Sequence, residues 1–294
     1  MSLRNENNNE FNFDKRAERY EVKEPKWDFK SLILTKNVLE ELEISLSIIE
    51  NETLVFDTWG LRTFEPHPRS ALNFYGPPGT GKTMAAHAIA NKLGKKILIA
   101  SYAQIESKYH GEGPKNVEAL FMAAQNNDAV LFIDEADSML SKRLTHVTQG
   151  SEQAINSMRS QLLICLEKFK GVVIFATNLV KNYDYAFETR VKNINFTMPD
   201  EECREKIWEV HLLPSIPKSY DVNTKELAEK FTDFCGRDIK NAVIDACLFV
   251  AVNKKDELNQ NDIIKACDRI LEKRNNLHEA ENNDLYKNSK FDYN

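Results

Sequence analysis

Eight residues at positions 76–83, GPPGTGKT, constrain this chain more than any other feature. They follow an apolar run at 71–75 and precede an alanine-rich stretch at 84–93, so they read as the turn between a strand and a helix. Gly76, Gly79 and Gly81 let the backbone curl until successive N–H groups point inward. The helix that follows adds the positive end of its dipole, and a loop of this build cradles phosphate. Pro77, Pro78 and Thr80 complete the turn and Met84 continues into the helix. Lys82 is placed to reach the β- and γ-phosphates of a nucleoside triphosphate, and the Thr83 hydroxyl to hold Mg²⁺.

The run VLFIDEAD at 130–137 delivers two adjacent carboxylates at the end of an apolar strand. Side chains alternate along a strand, so Asp134 and Glu135 are expected to point different ways. Asp134 suits the Mg²⁺ water shell, and Glu135 suits orienting and deprotonating a water that attacks the γ-phosphate. Taken alone the run could be an acidic surface loop after a core strand; beside the glycine loop it reads as the second half of a nucleotide site.

Three further runs have strand length, at 96–100, 172–177 and 192–196, and their near-continuous apolar character marks strands buried on both faces. Helical patterns at 37–51, 116–125 and 153–169 surround and separate them. Alternating strands and helices give an α/β fold, a parallel sheet sandwiched by helices. Ligands of such sheets bind at the carboxyl ends of the strands, where the glycine loop, Asp134 and Asn178 all fall. Past residue 200 the strand signal stops. Helices are expected at 201–212, 224–234, 238–252 and 261–275, forming a small all-helical lid domain.

At 294 residues the chain has room for both units. Residues 1–26 are polar and are expected to be a mobile tail; 27–199 form the large nucleotide-binding domain, 200–278 the helical lid, and 279–294 a second polar tail. The net charge of −6 disfavours a nucleic-acid footprint. Five cysteines without a CxxC pair suit buried thiols in a reducing compartment. The sequence shows no membrane-spanning stretch and no apolar signal region, so the expectation is a soluble cytoplasmic protein.

With these motifs on the page, the chain resembles the AAA+ ATPases, and more narrowly the AAA protein remodellers, over roughly residues 27–275. The resemblance implies an Mg²⁺-dependent ATPase that assembles as a homo-oligomer, a hexamer in most relatives, and threads a partner protein through a central pore. It assigns Asn178 as the polar sensor at a strand end, and Arg190 as the arginine supplied to the neighbouring subunit's γ-phosphate. Where many remodellers carry a second arginine, three residues on, this chain has Asn193. Arg237, in the Gly-Arg-Asp-Ile run that opens the third lid helix, matches a second sensor that contacts the γ-phosphate from the same subunit. Its alternative is a helix-start arginine paired with Asp238 or solvent.

Lys108, Tyr109, His110 and Gly111 match the substrate-gripping pore loop, in which an aromatic on a glycine-flanked loop holds an extended polypeptide by apolar contact. Arg143 falls where a subunit boundary is expected, and 145–152 resembles a second pore loop. His87 is read as a solvated helical residue and Cys235 as a small core residue. The short Phe187–Arg190 loop together with Arg237 is similar in detail to remodellers of HORMA-domain signalling proteins, whose bacterial members accompany antiphage systems. Two other classes remain as alternatives, a DNA-acting clamp-loader or initiator relative and an ATP-gated scaffold. Residues 1–26 are too short and polar for a recognition domain, so target choice would fall to the tail, the pore mouth or an adaptor.

Overall fold

The central apolar runs become strands that bury both faces, whereas the runs at 96–100 and 192–196, expected to do the same, leave Ile99 in one and Asn193 and Asn195 in the other exposed. Val173–Thr177 (β5) is buried at every position, and Ala129–Asp134 (β4) at all but its last. With Ala71–Tyr75 (β2), Lys96–Ser101 (β3), Lys192–Asn195 (β6) and a two-residue Val22–Lys23 (β1), they form a six-stranded sheet in the order β1-β3-β4-β5-β2-β6. Every pairing is parallel except β1 with β3. The order brings the ends of β4, β5 and β2 side by side, although they lie far apart in sequence. The computed structural model describes residues 16–64, 71–106, 112–141, 150–178 and 184–288.

The chain divides into two compact units, one made of Met1–Leu32, Lys36–Pro77 and Gly81–Phe196, the other of Ile33–Thr35, Pro78–Thr80 and Thr197–Asn294. In the first unit the sheet is accompanied by Lys36–Glu50 (α1), Lys82–Lys92 (α2), Glu112–Asn126 (α3) and Gly150–Lys168 (α4). Its core packs Leu98, Leu131, Ile133 and Phe175 of the sheet against Val117, Leu120 and Leu162 of the helices. α3 begins four residues before the expected start and takes in Gly113 and Pro114; a proline is tolerated in a first turn, whose N–H groups have no intrahelical partner.

Residues 16–26 correct the expectation of a tail for the described part of the segment. Val22 and Lys23 pair with Leu98 and Ile97 at the sheet edge, and Ala17 is 8% exposed. Arg16 donates to Asn116 Oδ1 at 2.7 Å and to Glu112 Oε2 at 2.6 Å. Three apolar residues, Ala17, Tyr20 and Val22, are enough to dock the segment once backbone pairing satisfies its polar groups.

The second unit holds Glu201–His211 (α5), Thr224–Lys230 (α6), Gly236–Val252 (α7) and Gln260–Asn288 (α8) around Trp208, Phe234 and Ile239, all fully buried. Asp200 caps α5 by accepting from Cys203 N–H at 2.8 Å, and Asn223 caps α6. α6 stops before its expected end because Phe231 and Phe234 turn inward and pack together at 5.1 Å. α8 outruns its expected end and continues into the segment read as a polar tail. No described helix is long and apolar enough to cross a membrane.

Candidate nucleotide site

The glycine loop leaves β2 at Gly76, whose φ of +137° is open to glycine alone. A methyl group there would run into the backbone carbonyl of Phe196, so the position forbids a side chain on two counts. Gly76 N–H donates to Thr177 O at 3.3 Å, which fastens the start of the loop to the end of β5. Gly81, at φ +100°, is the N-cap of α2 and has no side chain, so no N-cap side chain occupies the start of the helix. That is the arrangement a phosphate needs.

Lys82 is 9% exposed. Its ammonium donates to Gly76 O at 2.7 Å, to Pro77 O at 2.9 Å and to Asn178 Oδ1 at 3.1 Å. The structure therefore joins two residues 96 positions apart, the loop lysine and the polar residue at the end of β5. Thr83 is exposed at the start of α2, and Asp134 is half-buried at the end of β4.

Glu135 departs from the expected alternation. β4 ends at Asp134, and Glu135 takes φ +54°, a left-handed conformation that a glutamate adopts at a cost of about 1–3 kcal/mol. Its N–H donates to Asp134 Oδ1 at 2.9 Å and its side chain is exposed. The direction of Glu135 is thus set by a turn and not by the pleat.

Asp137, the last residue of the VLFIDEAD run, was given no role by the sequence reading and carries much of the local order. One carboxylate oxygen accepts from the Thr177 hydroxyl and from Asn178 N–H, the latter at 3.1 Å. Ala136 N–H donates to Ala176 O at 2.9 Å beside it. The acidic loop after β4 therefore holds the backbone of Asn178 while Lys82 holds its side chain. The repeated acid in the motif was the only sign of this in the sequence.

Arg190 is not brought to this cluster. Its guanidinium pairs with Glu167 at the end of α4, through Nη2 at 2.8 Å and Nε at 3.2 Å, and Nη1 donates to Ala186 O at 2.9 Å. Asn193 sits on β6 and accepts from Asn73 Nδ2 at 2.8 Å, which ties it into the sheet. In the second unit Asp238 accepts from Cys235 N–H at 2.9 Å and pairs with Arg274, so Arg237 is exposed and is not paired with Asp238. A methyl on Gly79, whose loop-tip segment clusters with that unit, would meet Cys235 Sγ and the Arg237 Cβ. Cys235 is 5% exposed, as a core residue should be, and burial pushes its thiol up.

His87 corrects a second expectation. It is 3% exposed, stacks edge-on against Trp27 at 4.9 Å, and its Nδ1 accepts from Lys26 N–H at 3.2 Å. Lys108, Tyr109, His110, Gly111, Arg143 and the first part of the 145–152 run lie outside the described residues.

Among the described residues no cluster of His, Cys, Asp and Glu could hold a metal ion alone. The donors present, the Thr83 hydroxyl and the Asp134 carboxylate, are hard oxygens suited to a Mg²⁺ that is shared with phosphate. The uncapped α2 terminus, the buried lysine and this oxygen pair fit a nucleoside triphosphate.

A strand, a glycine loop and an uncapped helix, with an acidic strand end and a polar sensor alongside, define a P-loop nucleotide-binding protein. Residues 72–198 match the ATPase family associated with various cellular activities (AAA). The chain is 34% identical over 228 residues to the katanin p60 ATPase-containing subunit A1 of Strongylocentrotus purpuratus, covering 72% of this chain and 43% of that protein. It is 35% identical over 211 residues to proteasome-activating nucleotidase 1 of Haloferax volcanii, covering 69% and 52%. The crystal structure of the FIGL-1 AAA domain superposes with a TM-score of 0.69 over 88% of both chains, and at 22% identity it supports the fold alone. Residues 72–198 thus carry an AAA ATPase domain, the part of the chain that these relatives share. The chain spans about half the length of these two curated relatives.

Proposed function

We propose that this protein is an ATP-driven protein remodeller that works as a homo-oligomer, in keeping with a hexamer, and pulls on a partner polypeptide. The observation that carries the reading is the Lys82–Asn178 hydrogen bond at 3.1 Å, which couples the phosphate loop to a sensor on a different strand. A γ-phosphate arriving at the loop would compete for the Lys82 ammonium and release Asn178, so the end of β5 would register the state of the nucleotide. The similarity to katanin and to a proteasome-activating nucleotidase supports work on protein.

In this reading the α2 N–H groups and Lys82 bind the phosphates. Thr83 and Asp134 would hold Mg²⁺, which when bound draws negative charge from the phosphate oxygens. Glu135, turned out of the strand, takes a proton from the attacking water, whose oxygen bonds to the γ-phosphorus as the bond to ADP breaks. Asn178 orients that water. Arg190 of an adjacent copy neutralises charge in the transition state, and Arg237 reports ATP to the helical unit. Lys108, Tyr109, His110 and Gly111 grip the substrate, and the protein works in the cytoplasm. The narrower assignment, a HORMA-domain substrate in antiphage defence, rests on the short loop before Arg190 and on Arg237 alone.

The test is a Glu135→Gln trap. It should bind ATP with wild-type affinity, lose hydrolysis by a factor of about 10²–10⁴, and retain a copurifying protein that names the substrate. A HORMA-domain protein in that fraction would support the narrower assignment. Normal hydrolysis would remove Glu135 from the mechanism, and bound DNA in place of protein would move the chain to the clamp-loader class.

A further inference from the structure

The turn at 233–238 lies against the tip of the phosphate loop. Residues Pro78–Thr80 belong to the same compact unit as the helices. A methyl on Gly79 would meet Cys235 Sγ and Arg237 Cβ, and a methyl on Gly236 would stand 3.4 Å from Gly79 O. An approach this close ties the direction of the loop tip to that of the turn, and the turn also carries Arg237.

The turn is held from α8. Arg274 Nη1 donates to Asp233 O at 3.1 Å, across 41 positions of sequence. Its Nη2 pairs with Asp238 Oδ2, and its guanidinium carbon lies 5.4 Å from the centre of the Phe234 ring. One planar fork thus touches both ends of the turn and the buried ring between them. Asp238 does not need the arginine as a partner. The same Oδ2 accepts Cys235 N–H at 2.9 Å, and an acid in the first turn of α7 is already favoured by the helix dipole. What Arg274 adds is the link from the turn to α8.

We propose that Arg274 is a positioning residue for the nucleotide site, holding the 233–238 turn, and with it Arg237, against the tip of the phosphate loop. It touches no nucleotide itself and acts through Asp233, Phe234 and Asp238. The proposal deepens the nucleotide-site reading above, and its consequence for ATP over ADP rests on Arg237 as the second sensor.

The experiment uses the full chain in the Glu135→Gln background with Mg²⁺, so that ATP and ADP can be titrated calorimetrically without turnover. Arg274→Gln should lower the ratio of the ADP Kd to the ATP Kd about tenfold, the effect of losing one well-aimed charged hydrogen bond. Arg274→Lys keeps the charge without the fork and should restore little of it. The double variant Arg237→Ala/Arg274→Gln should fall no further than Arg237→Ala, because both losses pass through one contact. Alkylation by iodoacetamide, read by mass spectrometry, reports the turn directly. Cys235 is 5% exposed and Cys267 lies fully buried in the core of the same unit. Arg274→Gln should speed modification of Cys235 about tenfold and leave Cys267 protected.

Equal gains at the two cysteines would mean that the whole unit loosens, and would overturn the proposal. So would additive losses in the double variant, or a ratio that Arg237→Ala lowers and Arg274→Gln does not; in that last case the second sensor stands alone. If Arg237→Ala leaves the ratio unchanged while Arg274→Gln weakens both nucleotides and opens Cys235 alone, the second-sensor reading fails and the hold on the turn stands. If neither substitution moves either measurement, both readings fail.

Discussion

At the strand ends the cation is shut in, and at the corner that closes on Arg190 it is left at the surface. Lys82 is 9% exposed and is held by two loop carbonyls and Asn178. The Arg190 side chain is 40% exposed and leans on a glutamate that is itself 52% exposed. An ion pair between such groups contributes little to stability, about 0–1 kcal/mol. The first arrangement finds its acceptors within one chain, in the loop and at the end of β5. The second holds an arginine in a defined direction without giving it anything buried to do. In the proposed oligomer this is the arginine that would serve the site of an adjacent copy.

Removing Arg190 should break this comparison most visibly. Arg190→Ala is expected to lower kcat about 10³-fold while leaving nucleotide affinity and the folded state unchanged. Mixing Arg190→Ala chains with Glu135→Gln chains should recover part of the ATPase rate, because some interfaces then combine an intact Glu135 with an intact Arg190. A wild-type rate for Arg190→Ala, or no recovery on mixing, would reduce the corner to a surface ion pair.

The next effect concerns how the enclosed region is tied together. Asp137→Ala removes the acceptor of both the Thr177 hydroxyl and Asn178 N–H, and Thr177 is 1% exposed. A buried donor left unpaired costs about 1–3 kcal/mol, so the midpoint of denaturant unfolding should fall. The ATPase rate should fall as well, because Asn178 loses its anchor while Lys82 keeps its own place. Unchanged stability would mean that the acidic loop and β5 are held by other contacts. A loss of stability with a wild-type rate would separate Asn178 from catalysis.

The same contrast explains what the sequence could reveal. The glycine loop, Asp134 and Asn178 were legible because a strand buried on both faces is a continuous apolar run, and the polar residue that ends it falls at the ligand-binding edge. For Glu135 the reason given from the sequence fails, because alternation holds only inside a strand, and the strand stops one residue earlier. β1 left no trace, since two residues make no pattern. Pairings across long separations, Arg190 with Glu167 or Arg16 with Asn116, have no local signature at all. α2 hid His87 for a different reason: Ala85, Ala86, Ala88, Ile89 and Ala90 are buried on every side, so no polar stripe marks an outward face.

His87 gives the smallest effect and the finest test of how closed the first region is. It lies on the helix that begins with Lys82, and burial, assisted by the nearby Lys26 charge, lowers its pKa. The folded protein therefore favours neutral imidazole, whose Nδ1 accepts the Lys26 N–H. In the unfolded chain the same group takes up its proton at about pH 6.5. This contribution to stability is fully present above that pH and is lost as the pH falls from there through the lower folded-state value. His87→Asn keeps an acceptor near Nδ1 and removes the titration, so the wild type should lose more stability than the variant between pH 7.5 and 5. Parallel unfolding curves for the two proteins across that interval would show that solvent reaches the imidazole and that the region behind the phosphate loop is more open than its packing indicates.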